Sequence, residues 1–210
     1  MQLTNQDDEV PFDGINYRNR DILRETNLQV ANCSTAANYF HLLRTQMRLP
    51  FRKPLVVVAP KKLLRFKGAC SSIEEFGAGT RFLPLITDQN PKLLKPKQVK
   101  KVILCSGQVY YDLDAARKKQ GRDDVAILRV ESLCPFPFKE IIAQLKEYSN
   151  AEVTWAQEEP KNAGAWSHAE PRLRNILEHL ESAHEPQYAG RPMMAAAAVG
   201  YTSTHNSQLG

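Results

Sequence analysis

A chain of 210 residues with 42% hydrophobic residues and a formal net charge of +5 is long and apolar enough to bury a core, which argues against general disorder. No apolar run approaches the roughly 18 residues of a membrane-spanning helix, and the acidic opening MQLTNQDDEVPFDG resembles neither a secretory signal nor an Arg-rich transit peptide. Four widely spaced cysteines, Cys33, Cys70, Cys105 and Cys134, form no C-x-x-C pair, so a zinc site or disulfide framework is disfavoured and reduced, mostly buried thiols are expected.

In chain order, LQVANCS (28–34) predicts a short strand after a polar, irregular start. STAANYFHLLRTQMR predicts a helix capped by Ser34 or Thr35, with Phe40, Leu43 and Met47 at helical spacing. PLVVVAP is a β-branched run bounded by prolines, the pattern of a strand covered on both faces. SSIEEF predicts a short capped helix, RFLPLI a short extended piece and VKKVILCSG a strand ending at Gly107. The intervening run with Lys92, Lys95, Lys97, Lys100 and Lys101 contains prolines and no aromatics, so it reads as a solvated loop and no nucleic-acid partner is expected.

QVYYDLDAARKKQG then predicts a helix with Tyr110, Leu113 and Ala116 or Arg117 on one stripe and Gly121 as its stop. DVAILRVESL reads as a buried strand, and CPFPFKEIIAQLKEYS as a helix presenting Ile141, Ile142, Leu145 and Tyr148. AEVTWAQEE and HAEPRLRNILEHLES add a strand and a helix. This alternation predicts an α/β fold, a mainly parallel sheet with helices on both faces. The loops after Cys105, Val130 and Gln157 then line one rim, at the carboxyl ends of the strands.

On that rim Glu158 and Glu159 are chain neighbours whose side chains diverge, which suits a facing acid–base pair poorly. One carboxylate is expected to reach the rim and the other to bond the amides of the following helix. Asn162 and Gly164 supply a tight turn with Trp166 packed beneath it. His41, His168, His179, His184 and His205 have no predictable nucleophile or metal partner and read as surface or satisfied core histidines. Neither G-x-G-x-x-G nor G-x-x-x-x-G-K-[ST] occurs.

The blocks FHLLRTQMRLPFRKPLVVVAPKKLLR, CSGQVYYDL, DVAILRVESLCPFPF, WAQEEPKNAGAW and YAGRPMMAAAAVGYTSTH have a further property. In order and approximate spacing they resemble the carboxyl end of the thiamin-dependent component of 2-oxoglutarate dehydrogenases. The near relative acting on 2-oxoadipate looks similar in the same blocks. The resemblance implies a transketolase carboxyl-terminal-domain-like fold over 51–210, preceded at 1–50 by the incomplete tail of the central, pyrimidine-binding domain. It implies oxidative decarboxylation of 2-oxoglutarate with acyl transfer to lipoamide, with thiamin diphosphate and magnesium as cofactors of the parent enzyme. The family's Gly-rich, His-containing motif, its Gly-Asp-Gly motif and its pyrimidine-binding Glu have no match here, so no catalytic, cofactor or metal residue carries over. This chain alone is expected to bind no cofactor and to be inactive. Implied partners are the rest of the dehydrogenase chain, a second copy in a homodimer and the dihydrolipoyl acyltransferase core. The implied location is the mitochondrial matrix in a eukaryote or the cytoplasm in a bacterium. Arg52, Lys53, Arg65, Glu158, Glu159, Asn162 and Arg191 are the candidate effector or interface residues. A remnant of this kind also predicts an unpaired strand near 29–33, an uncovered apolar helix face and self-association.

Overall fold

The structure is a computed structural model that describes residues 3–7, 23–195 and 200. Its elements in chain order are β1 (Gln29–Ala31), α1 (Ala36–Arg48), β2 (Leu55–Val57), β3 (Leu85–Ile86), β4 (Lys101–Cys105), α2 (Val109–Gln120), β5 (Val125–Val130), β6 (Ser132–Cys134), α3 (Phe138–Glu147), β7 (Glu152–Ala156), α4 (Trp166–His179) and β8 (Gln187–Ala189). Short 3-10 turns occupy Lys61–Arg65, Lys67–Ala69, Ile73–Phe76 and Pro96–Gln98.

Five strands form the main sheet in the order β3-β5-β4-β7-β8. β5, β4, β7 and β8 run parallel, and only the two-residue edge strand β3 is antiparallel. Side-chain alternation along these strands builds two cores. Val102, Leu104, Ala126, Leu128, Val153 and Trp155 face α3 and α4, where Ile141, Leu145, Leu173 and Ile176 meet them. The alternate residues Cys105, Ile127 and Ala156 face Val109, Tyr110 and Leu113 of α2. Helices therefore cover both faces, which is why β5 is buried along its whole length. The mainly parallel α/β arrangement read from the alternation is the one observed.

Local signals act where the spacing places them. Thr35 accepts a hydrogen bond from Asn38 N (3.3 Å) as the cap of α1, an interaction of about 1 kcal/mol. Gly121 ends α2 at φ 63°, in the left-handed region that glycine enters without a Cβ penalty. Ser72 and Glu75 form a capping box on the turn Ile73–Phe76. Through Lys100 the lysine-rich run is an exposed loop with one 3-10 turn, whereas Lys101 already belongs to β4.

Two expectations fail in the second sheet, which has the order β2-β1-β6. The strand near 29–33 is not left unpaired: β1 lies between β2, parallel to it, and β6, antiparallel to it, so both its edges are bonded. The partner that closes it comes from a segment a hundred residues later, which no local pattern reveals. PLVVVAP in turn is not covered on both faces. It supplies the edge strand β2, and Val56 is 49% exposed, because nothing among the described residues packs over that side. The helix face is uncovered as expected: Phe40, Leu43 and Met47 are 42%, 41% and 69% exposed, while α1 buries Ala37, Asn38, His41 and Leu42 instead.

Candidate functional site

The turns that follow β4, β5 and β7 meet at one rim. Ser106 Oγ donates to Val130 O (2.8 Å), Asn32 N donates to Glu131 O (2.9 Å), and Gln108 Nε2 donates to the Glu158 carboxylate (2.6 Å). Gly107, at φ 73°, lies against the Asn32 side chain so closely that an added Cβ would meet it at 2.5 Å. One rim carboxylate is thus held by an amide, with a second carboxylate beside it that points to solvent.

Gln157 organises the turn. Its Oε1 accepts from Trp155 Nε1 (3.1 Å) and from Trp166 N (2.9 Å), and its Nε2 donates to Glu159 O (3.2 Å) and Pro160 O (3.1 Å). All four hydrogen-bonding positions of the amide are used. The carboxylate expected to bond the next helix is therefore replaced in that role by this amide, which can donate as well as accept, whereas a carboxylate would meet the Glu159 and Pro160 carbonyls as a repelling acceptor. Trp166 packs at a tilt on Tyr188, ring centres 5.3 Å apart, with Lys161 above both rings. A methyl group at Gly164 would sit 2.6 Å from Gln157 Oε1. Gly164→Ala is expected to cost about 1–3 kcal/mol, read as a lowered urea midpoint at unchanged m-value.

The candidate residues fall into separate places. At the end of α1, Arg52 Nη1 donates to Leu49 O (2.6 Å) and Lys53 Nζ to Thr26 O (2.5 Å) and to Arg24 O. Arg65 is exposed on its 3-10 turn. Glu158, Glu159, Asn162 and Arg191 share the rim. There Asn162 exchanges two hydrogen bonds with the Met194 backbone, at 2.9 and 3.0 Å, and Arg191 is buried with Nη2 on Met194 Sδ (3.2 Å). The rim set is gathered by the fold, and the other three stand apart from it.

Two buried charge networks were not foreseen. Glu131 is fully buried and accepts from Ser34 N (2.8 Å), Ser34 Oγ (2.5 Å) and Asn38 Nδ2 (2.9 Å), while Arg129 Nη1 donates to the same Ser34 Oγ (3.2 Å). Arg117 is held by the carboxylates of Asp88 and Asp114, and Asp88 also accepts from Ile127 N (2.6 Å). A signal existed in LRVESL: charges two apart inside an otherwise apolar strand must find partners when that strand is buried. Burial pushes the Glu131 carboxyl up, against the hydrogen bonds of Ser34 and Asn38 and the charge of Arg129. Burial also acts upward on Asp114, but hydrogen bonds from Lys118 and Arg117 outweigh it and leave the group lowered. A lowered carboxylate stabilises the fold above its unfolded value, and that contribution is lost as pH falls through the folded one. The urea midpoint of the chain is therefore expected to drop in acid below about pH 4, and Asp114→Asn should flatten that limb.

His168 Nε2 lies 2.8 Å from Leu133 O as a satisfied core group, whereas His41 bonds Glu75 O through Nε2 (2.7 Å) but leaves its buried Nδ1 without a partner; His179 and His184 are exposed, and His205 lies outside the described residues. Cys33, Cys105 and Cys134 are buried free thiols, Cys105 pushed to about 12 by burial, and Cys70 is exposed. Among the described residues no three His, Cys, Asp or Glu side chains converge as metal ligands, and no helix is long and apolar enough to cross a membrane.

Comparison with known families gives two matches along the chain. Residues 19–67 match the transketolase pyrimidine binding domain, and residues 70–210 match the 2-oxoglutarate dehydrogenase C-terminal family. The chain is 48% identical over 193 residues to proteins named 2-oxoglutarate dehydrogenase E1 component from Brucella anthropi, Brucella ovis and Brucella abortus. Each alignment covers 88% of this chain and 19% of the relative, so the chain spans about a fifth of the length of these relatives.

Proposed function

Because the chain belongs to the 2-oxoglutarate dehydrogenase family, as part of its thiamin component, we propose that it serves the oxidative decarboxylation of 2-oxoglutarate and acyl transfer to lipoamide as the scaffolding end of that larger enzyme. The observation that carries this reading is the identity of 48% spread over 88% of the chain, across both matched segments. Within it we assign residues 1–50 to the tail of the central domain and 51–210 to the carboxyl-terminal domain. The matches at 19–67 and 70–210 support that order. Thiamin diphosphate with magnesium supplies the electron sink of the reaction in this reading. Among the described residues no three His, Cys, Asp or Glu side chains converge as metal ligands, and we derive no step through that group on this chain. Its residues instead shape a surface: Glu158, Glu159, Asn162 and Arg191 at the rim, and Arg52, Lys53 and Arg65 beside α1, as interface or effector contacts. In this reading the enzyme acts in the cytoplasm of a bacterium or in the mitochondrial matrix of a eukaryote, as a homodimer on the acyltransferase core.

An antibody raised to residues 100–200 tests the reading on an extract of the source cells. A precipitated protein several times heavier than 23.8 kDa, releasing carbon dioxide from 2-oxoglutarate faster than from 2-oxoadipate, is the expected result. A product near 23.8 kDa without either activity would replace it with a short binding module.

The uncovered face of α1 favours association in both cases. The 210-residue chain is expected to elute from a sizing column above its monomer mass. Leu43→Glu combined with Met47→Lys should return it to a monomer, and a sharp monomer peak from the unaltered chain would refute the expectation.

A further inference from the structure

A cavity of about 910 Å³ opens between α1, the 61–81 excursion, α2 and β5. Its lining includes Arg129, the aromatic rings of Phe66, Tyr110 and Tyr111, and the cationic side chains Arg81 and Lys118. Arg129 is 2% exposed and is held by neutral groups only: Nη1 on Ser34 Oγ (3.2 Å), Nη2 on Gln89 Oε1 (3.0 Å), and the guanidinium 4.1 Å from the centre of the Tyr110 ring. Its Nε–H has no partner. Arg117, also buried and also with an unpartnered Nε–H, differs in that its terminal nitrogens are clasped by two carboxylates. Glu131 reaches Arg129 only through the Ser34 hydroxyl, and among the described residues no carboxylate pairs with Arg129 directly.

A buried guanidinium with spare donors is costly unless an anion meets it, and its planar fork matches the oxygens of a carboxylate or phosphate. The two acidic side chains of the lining are already engaged, Asp114 with Arg117 and Lys118, and Glu75 with Ser72 N (2.7 Å). We propose that this cavity is a binding site for a small organic oxyanion, a phosphate- or carboxylate-bearing metabolite with a planar or apolar body, anchored by Arg129. The anionic group meets the guanidinium and the body lies along the tyrosines and Phe66. Lys118 and Arg81 draw it in from solvent. The site stands apart from the reaction proposed above and does not depend on it.

Cys70 gives a direct readout, because it lines the cavity and is exposed while the other described thiols are buried. The 210-residue chain is alkylated with N-ethylmaleimide in the presence of phenyl phosphate, inorganic phosphate or succinate, each matched to sodium chloride of equal ionic strength. Labelling of Cys70 is followed by mass spectrometry. Phenyl phosphate or succinate is expected to slow it saturably, about tenfold at roughly ten times the dissociation constant, and the tighter of the two identifies the anionic group. Arg129→Lys is expected to weaken protection about tenfold or more, and Lys118→Gln by a smaller factor. Absence of protection by all three probes, equal protection by chloride, or protection unchanged in Arg129→Lys would overturn the proposal. Should circular dichroism show Arg129→Lys unfolded, Lys118→Gln and Arg81→Gln decide, and unchanged protection in both overturns it.

Discussion

Glu131→Ala is expected to lower the unfolding free energy by about 3–5 kcal/mol, among the largest losses available in this chain. The substitution leaves Ser34 N, the Ser34 hydroxyl and the Asn38 amide facing a void, and removes the carboxylate that reaches Arg129 through Ser34. These groups join three parts of the structure: the end of β1, the start of α1 and the exit of β5. Loss of the carboxylate should therefore loosen the small sheet from the large one as well as weaken the whole. Glu131→Gln keeps the shape and can keep Oε1 on Ser34 N and Asn38 Nδ2, but its N–H₂ then faces the Ser34 hydroxyl, which must turn from donor to acceptor while also accepting from Arg129, so a smaller loss of about 1–2 kcal/mol is expected there. Urea denaturation followed by far-ultraviolet circular dichroism measures both. A loss below about 1 kcal/mol for the alanine variant would mean that water enters and satisfies the donors. The pH dependence has its own sign. Because the folded Glu131 value lies above the unfolded one, this group favours the fold most below its unfolded value, and that advantage declines as pH rises through the folded value. Glu131→Gln removes that decline, whereas Asp114→Asn acts in the opposite direction on the acid side.

Arg117→Ala should cost a similar amount, about 3–5 kcal/mol. It removes the cation between Asp88 and Asp114, whose side chains are only 1% and 15% exposed, and it also removes the donor to Val125 O (3.0 Å). Asp114 keeps Lys118, but Asp88 keeps only the backbone amides of Ile127 (2.6 Å) and Asn90 (2.7 Å), so a buried charge is left without a counterion. Arg117→Lys retains charge and loses the fork, and about 2 kcal/mol is expected. A cycle with Asp88→Leu separates pairing from packing: the double variant Arg117→Leu/Asp88→Leu should be closer to the unaltered chain than the sum of the two single losses predicts, by at least about 1 kcal/mol. Additive losses would show that the pair contributes through volume alone.

What was legible in the residues follows from periodicity. The β-branched and apolar runs at 101–105, 125–130 and 152–156, each followed by a helix with a 3.6-residue stripe, predict a parallel sheet clad on both faces, and the main sheet is that. Gly121, Thr35 and the Ser72/Glu75 pair mark element ends because capping acts within one turn of the chain. The QEEPKNAGAW turn was recognisable as a strand-to-helix joint, yet the group that organises it was not. Gln157 and Glu158 differ by one position, and only their directions in space decide which one meets the Trp166 amide.

The sequence by itself determined the fold class, the strand and helix alternation of the main sheet and the family, because each depends on local spacing or on a run of matching residues; the separate strand β6 was read as part of β5 and the start of α3. Tertiary structure alone decided the pairing of β1 with β6, the exposure of β2, the clasp on Arg117 and the cavity around Arg129. The contacts that decide them join distant segments: β1 with β6, Arg117 with Asp88 29 residues earlier, and Arg129 with Ser34 and Gln89, 95 and 40 residues earlier. Burial turns such contacts into large energies, since a charge removed from water must be met by whatever the fold brings beside it, and no pattern of neighbours along the chain specifies that partner.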